Sequence, residues 1–223
     1  MTNVEAALNL VKPGMKLGLG SGAASERFLV GLGDKVKAGL QIVGVPTSLK
    51  IETMARSLGI PIVDLADAIP LDLAVDGADE IDPDLNMIKG YGRALLREKV
   101  VALAAKTFII LIGPERVAEK RVTVLGARGK VPIEVVPFAV PLVIRLLAEL
   151  HYVAEVLTEN DTPVVSDNGN AILHVAVDEI DDPPGFDLLL KGFPGVVETG
   201  LFLDMADAVF IETDGKVEEL RRA

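Results

Sequence analysis

Residues 15–25 read Met15-Lys16-Leu17-Gly18-Leu19-Gly20-Ser21-Gly22-Ala23-Ala24-Ser25. A short apolar run that breaks into glycines and leads straight into a helical pattern is the opening of a βαβ unit. Outward from it, apolar runs alternate with helical patterns. Strands are expected over 15–20, 41–45, 60–64, 71–76 and 108–112, and helices over 4–11, 25–32, 47–58 and 93–106. That rhythm predicts a parallel sheet covered by helices. Half of the residues are hydrophobic, only 4% are aromatic and none is Trp. The core must then be built from Val, Leu, Ile and Ala, which suits buried parallel strands.

The rhythm changes after about Gly126. A strand is expected over 131–137 and a helix, apolar nearly all round, over 140–150. Segments 164–166 and 171–177 flank Asp167-Asn168-Gly169-Asn170, and Asn-Gly is a strong hairpin signal. Segments 187–192 and 195–203 follow, and 208–212 reads as a final strand returning to the main sheet. The expected architecture is α/β, with a main domain of 1–126 plus 204–223 and a smaller α+β domain over 127–203. The polar run 216–222 reads as a solvated end.

The chain has no cysteine, which excludes disulfides, thiolate metal sites and a Cys nucleophile and fits a reducing cytoplasm. The net charge of −11 leaves no basic footprint for nucleic acid. No apolar run is long enough to span a bilayer, and the start MTNVEAALNL lacks the basic region and the small-residue cleavage site of a secretory signal. The acidity repels anions at long range, so any phosphate must be held by local devices.

The glycine turn is one such device. Glycines let the backbone approach an anion, and amides at the following helix start point toward it. Ser21 and Ser25 add hydroxyls. Ala23 stands where a dinucleotide fingerprint requires its third glycine, and the strand over 41–45 ends in Pro46-Thr47-Ser48 rather than in an acidic residue. The turn therefore reads as a phosphate or sugar cradle rather than a dinucleotide site, or as a tight turn with no ligand.

Asp76-Gly77-Ala78-Asp79-Glu80-Ile81-Asp82 closes the strand over 71–76. Open α/β sheets bind ligands at the C-terminal ends of their strands. Asp76 and Asp79, separated only by Gly77 and Ala78, can face one small cavity with room for a substrate. A hard-cation site and a solvated acidic loop are the other readings of this segment. Next comes Lys89-Gly90-Tyr91-Gly92-Arg93-Ala94-Leu95-Leu96-Arg97-Glu98-Lys99. Lys89 before two glycines can set a cation in a cleft, where an ammonium stabilises an oxyanion. On the following helix, Glu98 falls among Ala94, Ala102 and Ala105 at 100° per residue. A partly desolvated carboxylate with space in front of it has the properties of a general base; a Glu that reaches solvent or pairs with a lysine is the alternative.

GLGSG, VGVPTS, LGIPIVDL, VDGADEID, the KG-x-G-x-ALLREK block, VPIEVVPF, SDNGN and PGVVETGLF occur in this order. In these motifs the sequence resembles the type A ribose-5-phosphate isomerases over nearly its whole length. VDGADEID and ALLREK are the most specific. The resemblance implies a Rossmann-like main domain with a smaller ferredoxin-like lid, and interconversion of D-ribose 5-phosphate and D-ribulose 5-phosphate without metal or organic cofactor. It implies Glu98 as the base, Asp76 and Asp79 as ligands of substrate hydroxyls that assist ring opening, and Lys89 as the oxyanion partner. It assigns substrate contacts to Ser21, Gly22, Ala23 and Ala24, to Gly77 and Ala78, and to Gly90, Tyr91 and Gly92. The only partner it implies is a small sugar phosphate, besides further copies of the chain in a cytoplasmic homodimer or homotetramer.

The sequence also departs from the family. Its loop usually reads G-T-G-S-T, whereas here it is Gly20-Ser21-Gly22-Ala23-Ala24, two hydroxyls poorer. Tyr91 and Arg93 interrupt a glycine run, Arg116 stands where the family has a lysine, and the usual N-terminal lysine has no counterpart. These losses fall on phosphate binding, for which Arg93 or Arg116 could compensate. A non-enzymatic sugar-phosphate binder, an isomerase of another aldose phosphate and, by fold analogy alone, a coenzyme A transferase are the rival readings. His174, in the alternating run 172–175, and His151, at a helix end, read as structural.

Overall fold

The computed structural model describes residues 1–114 and 117–222. In chain order its elements are α1 (Asn3–Leu10), β1 (Lys16–Leu19), α2 (Ala23–Lys37), β2 (Val43–Pro46), α3 (Leu49–Ser57), α4 (Leu65–Ala68), β3 (Leu73–Gly77), β4 (Glu80–Ile81), β5 (Met87–Ile88), α5 (Leu95–Leu103), β6 (Phe108–Ile112) and α6 (Val117–Lys120). There follow β7 (Lys130–Val135), α7 (Val140–Glu149), β8 (Ala154–Val156), β9 (Thr158–Glu159), β10 (Thr162–Pro163), β11 (Ala171–Ala176), α8 (Pro183–Lys191), β12 (Val196–Thr199), β13 (Leu201–Phe202), β14 (Ala208–Thr213) and β15 (Lys216–Arg221). They group into two compact units. One comprises Met1–Ala78, Arg97–Lys120 and Asp204–Ala223, the other Asp79–Leu96 and Arg121–Leu203.

The first unit is built on a six-stranded sheet of order β15-β14-β6-β3-β1-β2. All neighbours are parallel except β14 and β15, which form an antiparallel hairpin. Apart from β15, the strands run in the doubly wound order 2-1-3-4-5. The sheet is apolar where it is covered, and every residue of β6, Phe-Ile-Ile-Leu-Ile, is buried. Phe28, Leu29 and Leu32 of α2 and Ile51 of α3 complete the core. Local chemistry fixes the helix starts. Thr2 and Glu5 form a reciprocal capping box on α1, and the Ser48 hydroxyl accepts the Ile51 N–H at the start of α3.

The second unit contains a four-stranded antiparallel sheet of order β12-β7-β11-β8, whose chain order is β7-α7-β8-β11-α8-β12. That is the split βαβ, ferredoxin-like arrangement. Its core includes Ile133 and Val135 of β7, Leu173 and Val175 of β11, Val143 and Leu147 of α7, and Phe186 and Leu190 of α8. Glu134, with no exposed surface, ties β7 to the Asp167–Asn170 turn. Its Oε1 accepts from Ser166 Oγ at 2.8 Å, Asn168 Nδ2 at 3.0 Å and Asn170 Nδ2 at 2.8 Å.

Several expectations change. Segment 60–64 forms only an isolated bridge, Ile62 to Gly44, because Pro61 brings no N–H to a ladder. Segment 216–222 is not a loose end: residues 216–221 are the edge strand β15, with Val217 packed toward the core and charged residues elsewhere. Residues 79–96 group with the second unit, since β5 pairs antiparallel with both β4 and β13. Helix α5, whose mostly apolar circumference in the sequence suggests burial, leaves Val100 and Leu103 exposed.

Candidate active site

In the order 2-1-3, the chain leaves β1 toward one edge of the sheet and β3 lies on the other side of it. Ligands of doubly wound sheets bind at this switch point, beyond the C-terminal ends of the two strands. Gly20-Ser21-Gly22 leaves β1 there, and Asp76-Gly77 ends β3. Gly20 donates its N–H to Val75 O at 2.9 Å, and a Cβ at Gly20 would overlap Val75 O and the Asp76 carboxyl. Only glycine lets β1 and Asp76 approach this closely. Gly22 is the N-cap of α2 at φ 95°, a left-handed conformation, with open space around it.

Asp76 is 2% exposed, and its Oδ1 accepts from Ser25 Oγ at 3.1 Å and from the Gly77 N–H at 2.7 Å. Ser25 therefore serves the aspartate rather than a free anion. Ser21 Oγ lies 2.8 Å from Thr47 Oγ1 and 2.9 Å from Ser48 Oγ. Thr47 Oγ1 in turn donates to Leu19 O at 3.0 Å. Ala23 is exposed, while the Ala24 side chain belongs to the core, so this stretch of the loop has only backbone amides to offer a ligand.

Glu98, 5% exposed, lines a narrow recess together with Gly18, Gly20, Thr47, Asp76 and Ala102. The sequence places Glu98 on a small-residue stripe, and Ala102 fulfils that; Ala105 lies beyond the end of α5. Glycine and alanine line this recess beside two carboxylates, and it is too narrow to admit a water molecule. Thr47 was not among the residues singled out for this site. Its one signal in the sequence is its position just after a parallel strand.

The second unit holds Asp79 and Lys89. The Asp79 N–H donates to Ile88 O at 2.9 Å, and its Oδ2 accepts the Tyr91 N–H at 3.0 Å. Neighbouring Glu80, wholly buried, accepts the Gly126 N–H at 2.8 Å and the Arg128 N–H at 2.9 Å. Lys89 is 2% exposed; its N–H donates to Gly200 O at 2.8 Å, and its ammonium stands 5.4 Å from the centre of the Phe202 ring. Gly90 holds φ 106° against Leu95, and Gly92 is exposed. Arg93 pairs with Glu159, and Arg116 lies outside the described residues. His174 is half-buried on β11, with Nδ1 3.3 Å from Lys130 Nζ. Burial, then the Lys130 charge, holds its pKa below the ordinary 6.5, and its buried Nε2 has no hydrogen-bond partner.

A larger cavity of about 450 Å³ in the second unit, lined by Tyr152, Asp178, Ile180, Asp182, Phe186 and Leu189 among others, contains none of the motif residues. Among the described residues no group of three or more His, Asp or Glu could hold a metal ion, and no helix is long and apolar enough to cross a membrane.

Known proteins resemble this chain in sequence and fold. The sequence profile of the family described as ribose 5-phosphate isomerase A (phosphoriboisomerase A) matches residues 43–216. A relative named ribose-5-phosphate isomerase A from Parvibaculum lavamentivorans is 44% identical over 93% of this chain and 91% of its own. One from Pyrococcus horikoshii is 42% identical over 97% and 94%. A solved D-ribose-5-phosphate isomerase in complex with phospho-erythronic acid superposes with a TM-score of 0.92, 42% identical and covering 99% of this chain and 96% of that one. The ribose 5-phosphate isomerase A from Methanocaldococcus jannaschii gives 0.91 at 35% identity, with 99% and 96% covered.

Proposed function

The chain belongs to the ribose-5-phosphate isomerase A family, and from this we infer that Glu98 is the base that carries the proton between C1 and C2 of ribose 5-phosphate. The enzyme is an aldose–ketose isomerase that interconverts D-ribose 5-phosphate and D-ribulose 5-phosphate. In the open-chain aldose, Glu98 takes the C2 proton and the electron pair forms the C1–C2 double bond of a cis-enediolate. The O2 proton passes to O1, Glu98 returns its proton to C1, and the C2 carbonyl forms. Lys89 stabilises the negative oxygen while it exists. Asp76 and Asp79 bind the sugar hydroxyls and help open the ring, with room beside them at Gly77 and Ala78. Backbone amides of Ser21, Gly22, Ala23 and Ala24 face the phosphate, and Gly90 and Gly92 keep the lysine turn close to the sugar.

The observation that carries this reading is the position of Glu98. It is a carboxylate removed from water, beside Asp76, in a recess walled by glycine and alanine at the switch point of the sheet. Such a group moves protons on carbon without competing solvent. Glu98→Gln, assayed with EDTA present, is expected to bind ribose 5-phosphate with near-normal affinity and to lose turnover by at least roughly a thousandfold, within the range of a positioned proton-transfer group. A wild-type rate in that variant ends the assignment.

For the phosphate, Arg93 is engaged with Glu159, which favours Arg116 as the guanidinium ligand. Arg116→Ala should then weaken ribose 5-phosphate binding, whereas Arg145→Ala should not. We also infer a cytoplasmic homodimer or homotetramer. The absence of cysteine agrees with the compartment, and Phe138, 96% exposed near Leu142 in sequence, agrees with a covered apolar face. Sedimentation as a monomer at micromolar concentration would remove the second part.

A further inference from the structure

We propose that Tyr91 and Arg128 are positioning residues that hold Asp79 in place, and that Tyr91 is not a substrate ligand. This rests on the reading that Asp79 binds the substrate. Asp79 is held at three points within the second unit. Its N–H donates to Ile88 O, its Oδ2 accepts the Tyr91 N–H at 3.0 Å, and its carbonyl accepts Arg128 Nη1 at 3.1 Å. The side chains of Tyr91 and Arg128 then lock to each other. The guanidinium lies 4.9 Å from the centre of the Tyr91 ring, and the Lys130 ammonium lies 4.6 Å from it. The Tyr91 hydroxyl donates to Lys130 O at 3.1 Å, and the ring packs against His174 with centroids 5.9 Å apart. Burial, and then the Glu80 charge, push the Tyr91 hydroxyl pKa far above its ordinary value, so it stays a neutral donor.

The other end of the device is Glu80. Its two oxygens accept the Gly126 and Arg128 amides, fixing the backbone from which the Arg128 side chain returns to the Asp79 carbonyl. Asp79-Glu80 thus organises 126–128, and 128 with 91 organises Asp79. The backbone at 91 does not demand glycine, since only Gly90 and Arg93 of this turn have positive φ. Space alone does not explain the ring, which is turned into the apolar core of its own unit.

A double-mutant cycle tests this. Tyr91→Leu keeps the apolar volume but loses the hydroxyl bond and both cation–ring contacts. In the wild-type background it should lower kcat/KM for ribose 5-phosphate roughly tenfold or more, as misplacement of a binding group by a fraction of an ångström does. Tyr91→Phe, which keeps the ring, should recover most of that. In an Asp79→Asn background the further loss from Tyr91→Leu should shrink to less than about twofold, because residues that act through one another are not additive. Arg128→Met should show the same loss and the same dependence on Asp79, and it replaces Tyr91→Leu if that variant does not fold. Additive losses with a raised KM would make Tyr91 a substrate contact and overturn the proposal. Tyr91→Leu and Arg128→Met at the wild-type rate would overturn it equally. Full activity in Asp79→Asn would instead remove the role of Asp79 itself, an outcome distinct from additivity.

Discussion

Gly20→Ala places one methyl group at the point where β1 meets β3. The new Cβ overlaps Val75 O and the Asp76 carboxyl. Both are packed on every side, Val75 and Asp76 being 1% and 2% exposed, so any retreat has a cost. Two responses are open. Asp76 can rotate away, giving up its bonds from Ser25 Oγ and the Gly77 N–H, each worth about 1.5–3 kcal/mol for a charged acceptor. Alternatively β1 and β3 can spread, at the ordinary overpacking cost of about 1–3 kcal/mol. The second is cheaper, so we expect a destabilisation of about 2 kcal/mol and a melting temperature lower by roughly 4–8 °C. Spreading carries Asp76 with its strand, and displacement of a substrate-binding carboxylate by about 1 Å costs up to roughly a hundredfold in kcat/KM. Gly31→Ala is the matched control. It meets only the far end of the Leu8 side chain and gains up to about 1 kcal/mol of helix propensity. Urea denaturation and ribose 5-phosphate kinetics on the two variants decide the matter. A Gly20→Ala protein with wild-type midpoint and kcat/KM refutes the close-approach reasoning.

Glu134→Ala leaves the three side-chain donors of the 166–170 turn without their acceptor and should cost about 3 kcal/mol; Glu134→Gln, which keeps an oxygen there, should cost about 1 kcal/mol. Hydrogen exchange at the β7 and β11 amides measures both, and equal protection in the two variants contradicts the account. His174 has a folded pKa depressed below 6.5 by burial and by Lys130, so the unfolded chain binds its proton first as pH falls. Its contribution to stability is unaffected above about pH 6.5 and turns unfavourable below it. Urea midpoints at pH 7.5 and 5.5 should therefore differ less in His174→Gln than in wild type.

Segments with a single physical determinant were legible from the chain. The run 108–112 is apolar throughout and is a buried strand from end to end. The glycines at 18–22 and the Gly77 break at the end of β3 mark the switch point, and of the small-residue stripe beside Glu98 only Ala102 lines the recess. Features that depend on a distant partner were not legible. Strands β4, β5 and β13 are two residues each, and only their mutual pairing, Leu201 with Ile88 and Glu80 with Ile88, moves 79–96 to the second unit. The strand β15 looks polar because an edge strand buries so little of itself. Arg128 has no motif of its own; its meaning comes from the Glu80 and Asp79 atoms it meets. Likewise Ser25 reads as an anion donor until Asp76 appears opposite it.

The pairing of β14 with β6 joins Ile109 to Ala208, roughly a hundred residues apart in sequence. On the ribosome, β6 emerges long before its neighbour exists. In that interval residues 121–203 are made, enough to complete the antiparallel sheet of the second unit. Until β14 arrives, the flank of Phe108–Ile112 that will receive it presents free amide and carbonyl groups on a strand of purely apolar residues. Such a border invites another nascent chain to take the vacant place. A product truncated before residue 208 would therefore be sticky as well as inactive, and chaperones that shield extended apolar segments would set its fate.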